Sequence, residues 1–324
     1  MKKMLVFLVL GCVVFFATAE GRKEAQKAEF PLEKPIKLVI PYGAGGGVDI
    51  SARILSAVAP ELINQRVDVI CMPGAGGQEG INYVMSQPAD GYTLLVTDYG
   101  PLITTALTEK VGYDLADWKP VFQITQVVPT FFARSDSPVK TVDQWVKALK
   151  EKPESLSIAH GRYLSVPHLP LILFESIAGI KNVHVPTSGG SEALSFVLGK
   201  KVNLGASVPS TIASGIKSGD LIAIAVASSK RVPSLPNTPT MKEAGYDVSL
   251  PAWYTIFAYK GVPEDRINFL HKKFTEALST SSGKSLAKQA SVDITLFERP
   301  ELQKIYDETI KSLREILKLI GKIK

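Results

Sequence analysis

Two glycine-rich loops constrain this chain more than any other feature: Gly43-Ala44-Gly45-Gly46-Gly47-Val48-Asp49 and Pro73-Gly74-Ala75-Gly76-Gly77. Each follows a short apolar run, at 36–40 and 67–71, and each precedes a segment of helical periodicity. A strand feeding a helix through glycine is the unit of an α/β fold with parallel strands. Without a side chain, the loop backbone can come close to a ligand. A helix starting there adds unpaired N–H donors and partial positive charge. Two such loops in one sheet predict an anion site, with a small carboxylate as the expected occupant.

The β–loop–α alternation continues down the chain. The first helix, from about residue 49, puts Ile50, Ile54, Leu55, Val58 and Leu62 on one face, and Pro60 should kink or split it. A second helix is expected at 78–87. Asp90-Gly91 marks a turn before a strand at 92–97. Further strands are expected at 121–128, 131–133, 156–159, 183–185, 202–206 and 221–227. Helices are expected at 142–151, 167–178, 191–198 and 209–218, then two long ones at 263–279 and 300–319 after an aromatic apolar stretch at 253–259. Two central loops, His160-Gly161-Arg162-Tyr163-Leu164-Ser165 and Thr187-Ser188-Gly189-Gly190-Ser191, repeat the strand–loop–helix device with polar residues. In open parallel sheets ligands sit beyond the carboxyl ends of the strands. The economical reading is therefore two domains of mostly parallel sheet whose loops face each other across a cleft. Chain crossings near 122–129 and 250–256 would form the hinge.

The amino terminus reads as an export signal. Lys2 and Lys3 precede an apolar stretch at 4–16 and the small-residue site Ala17-Thr18-Ala19, so residues 1–19 are expected to be a signal peptide cleaved near Ala19. Gly11-Cys12 offers the alternative of a lipoprotein anchored through Cys12. Residues 20–29, rich in Glu, Lys and Arg, are expected to be a mature-end tether in either case. Removing the signal would lower the formal charge of +6 to about +4, a weak cue for any partner. No basic run interleaves with aromatics, so no nucleic-acid partner is expected. Cys71 would be the sole remaining thiol, and burial is favoured over reactivity for it.

Several chemistries are excluded by spacing. A dinucleotide fingerprint from Gly43 would need glycine where Val48 stands, and from Gly74 where Glu79 stands. Gly283-Lys284-Ser285 lacks the first glycine of a P-loop, having Leu278 instead, and no G-x-S-x-G occurs. His160, His168, His184 and His271 show no metal-ligand spacing, so neither metal nor cofactor is expected. Asp49 is either a helix-start cap or a ligand contact. His168 is either a ligand contact or a partner for nearby backbone. The lack of a catalytic set points to binding without turnover.

In order, Pro41-Tyr42-Gly43-Ala44-Gly45-Gly46-Gly47-Val48-Asp49 with Ala52-Arg53, Pro73-Gly74-Ala75-Gly76-Gly77, Asp90-Gly91-Tyr92-Thr93-Leu94, Pro167-His168-Leu169, Val183-His184-Val185-Pro186, Leu235-Pro236-Asn237-Thr238-Pro239-Thr240 and Glu243-Ala244-Gly245 resemble the signatures of the Bug/TctC family. These are extracytoplasmic solute receptors of tripartite tricarboxylate transporters, and the resemblance covers roughly residues 30 to 320. It implies a type II-like two-domain periplasmic-binding-protein fold. Domain 1 would comprise residues 30–126 plus 252–324, and domain 2 residues 127–251. It further implies a monomer that closes over a small mono- or dicarboxylate and delivers it to membrane transporter subunits. The expected contacts are Tyr42, Gly43, Ala44, Gly45, Gly46, Gly47, Val48 and Asp49, with Gly74, Ala75, Gly76 and Gly77, from domain 1. From domain 2 they are Ser165, His168, Thr187 and Ser188.

The departures from the family pattern fall mainly in domain 2. Arg162 and Tyr163 occupy a loop that is usually small, Thr187 replaces a usual tyrosine, and an acidic residue that some members carry near Ser207 is missing. Arg162 would either bind a second carboxylate through its planar fork or be a surface arginine. Rival functions are a ligand sensor for a membrane kinase, a secreted α/β enzyme acting on a carboxylate, and a structural surface protein.

Overall fold

The computed structural model describes residues 30–324, so the expected signal peptide, the expected tether and Cys12 lie outside the described residues. Among those residues no helix is long and apolar enough to cross a membrane. The chain forms two five-stranded sheets with helices packed on both. The first is built from β1 (Ile36–Ile40), β2 (Val67–Cys71), β3 (Thr93–Thr97), β4 (Trp118–Val127) and β10 (Ala252–Tyr259), in the order β2-β1-β3-β10-β4. The second uses β5 (Thr130–Arg134), β6 (Ser157–His160), β7 (Val183–Pro186), β8 (Leu204–Ser207) and β9 (Leu221–Val226), in the order β7-β6-β8-β5-β9.

The two orders are one pattern used twice. In the first sheet β10 runs antiparallel to both its neighbours, β3 and β4, while β1 pairs parallel with β2 and β3. In the second, β5 runs antiparallel to β8 and β9, while β6 pairs parallel with β7 and β8. In each sheet four strands share a direction and the reversed strand is the one entering from the other half of the chain. The connections between sheets are residues 128–129, between β4 and β5, and residues 227–251, before β10.

The helices follow from where apolar residues can be buried. In the first half they are α1 (Gly47–Val58), α2 (Pro60–Ile63), α3 (Gln78–Ser86) and α4 (Thr105–Thr108). Pro60 divides α1 from α2, as a residue without an N–H donor should. The second sheet carries α5 (Val142–Glu151), α6 (His168–Ala178), α7 (Gly190–Leu198) and α8 (Pro209–Ser218). Three helices close the chain: α9 (Glu264–Ser279), α10 (Ser281–Gln289) and α11 (Arg299–Leu319). α10 has no counterpart in the sequence reading. It has few apolar residues to set a period, and Thr280 starts it by accepting the Gly283 N–H at 3.0 Å. A π-helical turn at Gly100–Thr104 was also not foreseen.

Each sheet has its own core. Leu38, Ile40, Leu55, Phe122 and Phe274 are fully or almost fully buried around the first, and Phe131, Trp145, Phe174 and Leu204 around the second. The first core also takes in Leu164, Val166, Leu169 and Val208 from the second half, so the two bases pack against each other beside the loops at the carboxyl ends of the strands.

Candidate functional site

A small cavity of about 40 Å³ lies between the two sheets at those carboxyl ends. Its first-sheet wall is Tyr42, Gly43, Gly46, Gly47, Val48, Asp98 and Tyr254. Gly161, Ser165, Val166, Pro167, Gly189, Gly190, Ser207, Val208 and Thr211 form the other wall. Helices α1, α6, α7 and α8 all begin here, and none has a side chain capping its first turn. At α6 the His168 and Leu169 N–H groups turn back to Ser165 O, at 3.0 Å each. At α8 Pro209 has no N–H and the Thr211 N–H turns back to Val208 O at 3.1 Å, so it is the first turns of α1 and α7 that bring free N–H donors and the positive ends of two helices to one cavity, a setting suited to an anion. Two buried hydroxyls on the lining, Ser165 Oγ and Thr211 Oγ1, have no hydrogen-bond partner within the protein.

Close approach explains a glycine in this wall. A Cβ on Gly47 would stand 2.5 Å from Tyr254 Oη and 2.6 Å from Val208 Cγ2, so a side chain there would push the two walls apart.

Among the described residues Asp98 is the one acidic group on the lining. Its Oδ1 accepts from Tyr42 Oη at 2.8 Å and from the Gly100 N–H at 2.6 Å. Burial pushes its carboxyl up to about 6, against the downward pull of those two hydrogen bonds and of nearby Arg162. Burial likewise raises the Tyr42 and Tyr254 phenols well above their ordinary range, with Asp98 adding to the effect.

Of the residues expected from sequence, Tyr42, Gly43, Gly46, Gly47, Val48 and Ser165 line the cavity. The others stand elsewhere. Ala44 O accepts from Ser191 Oγ at 3.0 Å, a bond across the cleft rim. Asp49 Oδ2 accepts the Gly45 N–H at 2.8 Å and its Oδ1 pairs with Arg53 Nε at 2.8 Å. Asp49 thus braces the loop from the third position of α1, whose N-cap is Gly46. Cys71 is half-buried rather than buried and donates to Asp49 Oδ1 at 3.4 Å; desolvation pushes its thiol up to about 11, which leaves it a poor nucleophile.

The second glycine loop, Gly74, Ala75, Gly76 and Gly77, is off the lining and meets Arg162 instead. A Cβ on Gly76 would lie 3.2 Å from Arg162 Nε. Arg162 Nη1 donates to Gly100 O at 3.1 Å and Nη2 to Thr105 Oγ1 at 2.8 Å, so its fork straps the second half of the chain to the first. Thr187 Oγ1 is spent on His160 O and Gly189 O, both at 2.8 Å, and Ser188 N–H and Oγ both donate to Glu192.

His168 also lies off the lining, fully buried in a histidine cluster. Its Nδ1 accepts the Leu164 N–H at 2.8 Å and its Nε2 lies 3.0 Å from His184 Nδ1. His160 stacks on it with ring centroids 3.9 Å apart. Burial lowers His160 to about 4 and His168 to about 2, the neighbouring histidines pushing the same way. The absence of metal-ligand spacing in sequence is therefore corrected in space, because the fold gathers the ring nitrogens of His160, His168 and His184 within 4.8 Å of one another.

Asp98, Tyr254, Ser207 and Thr211 were missed. Asp98 carried a usable signal: it follows directly on β3, at a strand's carboxyl end. Tyr254 comes from β10, which starts at Ala252, long after its neighbours β3 and β4 end at Thr97 and Val127, and no local pattern announces that.

Two sheets joined by two connections, with helix starts meeting at one cavity, define a two-domain ligand-binding protein. The sequence model described as Tripartite tricarboxylate transporter family receptor (TctC) matches residues 51–322, and the chain belongs to that family. It is 30% identical over 274 residues to Protein BugT of Bordetella pertussis, covering 83% of each chain. The solved structure of the periplasmic binding protein BugD superposes with a TM-score of 0.84 at 28% identity, over 90% of this chain and 99% of that one. The R. palustris protein Rpa4515 with adipate gives 0.85 at 26% identity, over 90% and 99%. The chain is thus a solute-binding receptor of the Bug/TctC kind.

Proposed function

We propose that this receptor captures a small mono- or dicarboxylate outside the cytoplasm, in the periplasm, and presents it to the membrane subunits of a tripartite tricarboxylate-type transporter. The convergence of the α1 and α7 starts on one cavity carries this reading. Backbone N–H donors held in a partly desolvated space bind an anion through charge-assisted hydrogen bonds. Ser165 Oγ and Thr211 Oγ1 offer two further hydroxyls, and a bound carboxylate would sit against the helix ends, away from Asp98. Adipate in a relative of the same fold supports a carboxylate as the cargo class. In this reading residues 30–126 plus 252–324 and residues 127–251 close as two bodies of a monomer. Bonds such as Ser191 Oγ to Ala44 O and Arg162 to Gly100 O would belong to the closed form.

A thermal-shift screen tests the proposal, using chain that has been unfolded and refolded so that no carried ligand masks a response. Mono-, di- and tricarboxylates are each added in excess. A true ligand at 100 times its Kd stabilises the chain by about 2.7 kcal/mol, an easily measured rise in Tm. A flat response to every carboxylate would sink the carboxylate reading.

A further inference from the structure

We propose that His160, His168 and His184 form a transition-metal site for one divalent ion of the Zn2+ class, separate from the ligand cavity. His160 ends β6, His184 lies in the neighbouring strand β7, and His168 opens α6. Hydrogen-bond partners fix where the ring protons sit. Gly161 O can only accept, and His160 Nδ1 lies 2.6 Å from it, so that nitrogen holds the proton and His160 Nε2 is bare. Glu175 takes the other proton: His184 Nε2 lies 3.0 and 3.1 Å from its two carboxylate oxygens, which leaves His184 Nδ1 bare.

The two bare nitrogens face each other at 3.3 Å. In the metal-free protein His184 Nδ1 accepts the His168 Nε2 proton at 3.0 Å, which leaves His160 Nε2 as the lone pair without a donor among the described residues, and a cation would serve both nitrogens at once. A tetrahedral ion with bonds of about 2.0–2.1 Å holds its ligand nitrogens about 3.3 Å apart. Each of these rings is also steadied through its other nitrogen by a carbonyl or a carboxylate, the support that metal-bound histidines characteristically have.

His168 Nε2, 3.0 Å from His184 Nδ1, completes the set at a cost. Its Nδ1 accepts the Leu164 N–H, so its own proton sits on Nε2 in the metal-free protein. To ligate, His168 must carry its proton on Nδ1 instead, and the Leu164 N–H must turn away. Leu164 has a φ of 57°, in the left-handed region, two residues after the Arg162 strap. Metal uptake therefore reaches the loop that bridges the two halves of the protein. His184 is partly exposed, with 28% of its side chain accessible, and gives the ion a way in and a water as fourth ligand.

The test is calorimetric titration of the chelator-treated full chain with ZnCl2, repeated with CoCl2 while the visible spectrum is recorded. One ion per chain and the strong visible absorption of tetrahedral Co2+ are expected. Glu175→Gln, which keeps all three rings, should weaken affinity about 10–100-fold. His184→Asn, at a partly exposed position, should abolish uptake while circular dichroism and the metal-free melt stay near those of the parent chain. Three outcomes would overturn the proposal: no stoichiometric uptake, uptake that survives His184→Asn, or a cluster that takes up only protons.

Discussion

The two glycine loops begin from the same chemistry and end in different roles. Both stand at the carboxyl ends of adjacent parallel strands, β1 and β2, and both lead into helices. The first opens on the cavity with Gly43, Gly46 and Gly47. The second, one strand further out on the sheet edge, faces Arg162 of the other half. Their glycines allow close approach in both cases. What approaches differs: the cavity at the first loop, a guanidinium at the second. A glycine loop therefore shows where backbone can be reached, and the strand order decides what reaches it.

The largest expected effect concerns Asp98, which Tyr42 of the first loop holds in place. Its pKa in the folded chain is raised to about 6 from an unfolded value near 4. The stability it contributes is fully present below about pH 4 and is lost as pH rises through about 6. Asp98→Asn keeps an oxygen for both donors and removes the charge. The variant should match the parent chain near pH 4 and exceed its stability by up to about 3 kcal/mol at pH 7. Urea unfolding at pH 4, 5, 6 and 7 checks this. Parallel stability curves for the two chains would mean that Asp98 stays ionised without penalty.

A direct contrast between the loops comes next. Gly47→Ala places a methyl against Tyr254 and Val208, where neither wall has room. Overpacking of this kind costs about 1–3 kcal/mol, felt here as a ligand Kd weakened about 10–100-fold because the clash arises across the cleft. Gly74→Ala meets only the flexible end of Glu79 and should stay within about 0.5 kcal/mol in both stability and affinity. Equal losses in the two variants, measured by calorimetry with whichever carboxylate the screen finds, would erase the distinction between the loops.

The alternation of apolar runs and helical periods was legible along the chain because each core is built locally: α5, α8 and most strands sit where the pattern puts them. The first glycine loop was legible for the same reason. Features made by distant segments were not. Tyr254 comes to the cavity on β10, and the three histidines meet only because β6, β7 and α6 pack together. Spacing rules cannot see ring nitrogens brought together from positions 160, 168 and 184. Arg162 was legible as unusual, but its partner in the first half, the turn at Gly100–Thr104, had no sequence signature.

Arg162 gives the finest test, since two expectations for it differ in their consequences. A guanidinium reaching a second ligand carboxylate would favour dicarboxylates over monocarboxylates of similar length. In the structure the fork is already committed to Gly100 O and Thr105 Oγ1, away from the cavity lining. Its removal then costs the bridge between the halves and leaves the ligand's far end untouched. Hydrogen bonds from a charged group are worth about 1.5–3 kcal/mol, less where water can replace them, as at this partly buried strap. Arg162→Ala should weaken binding about 10-fold, by the same factor for mono- and dicarboxylates. A loss confined to dicarboxylates in a matched calorimetric series would return Arg162 to the ligand and assign the second glycine loop to its surroundings.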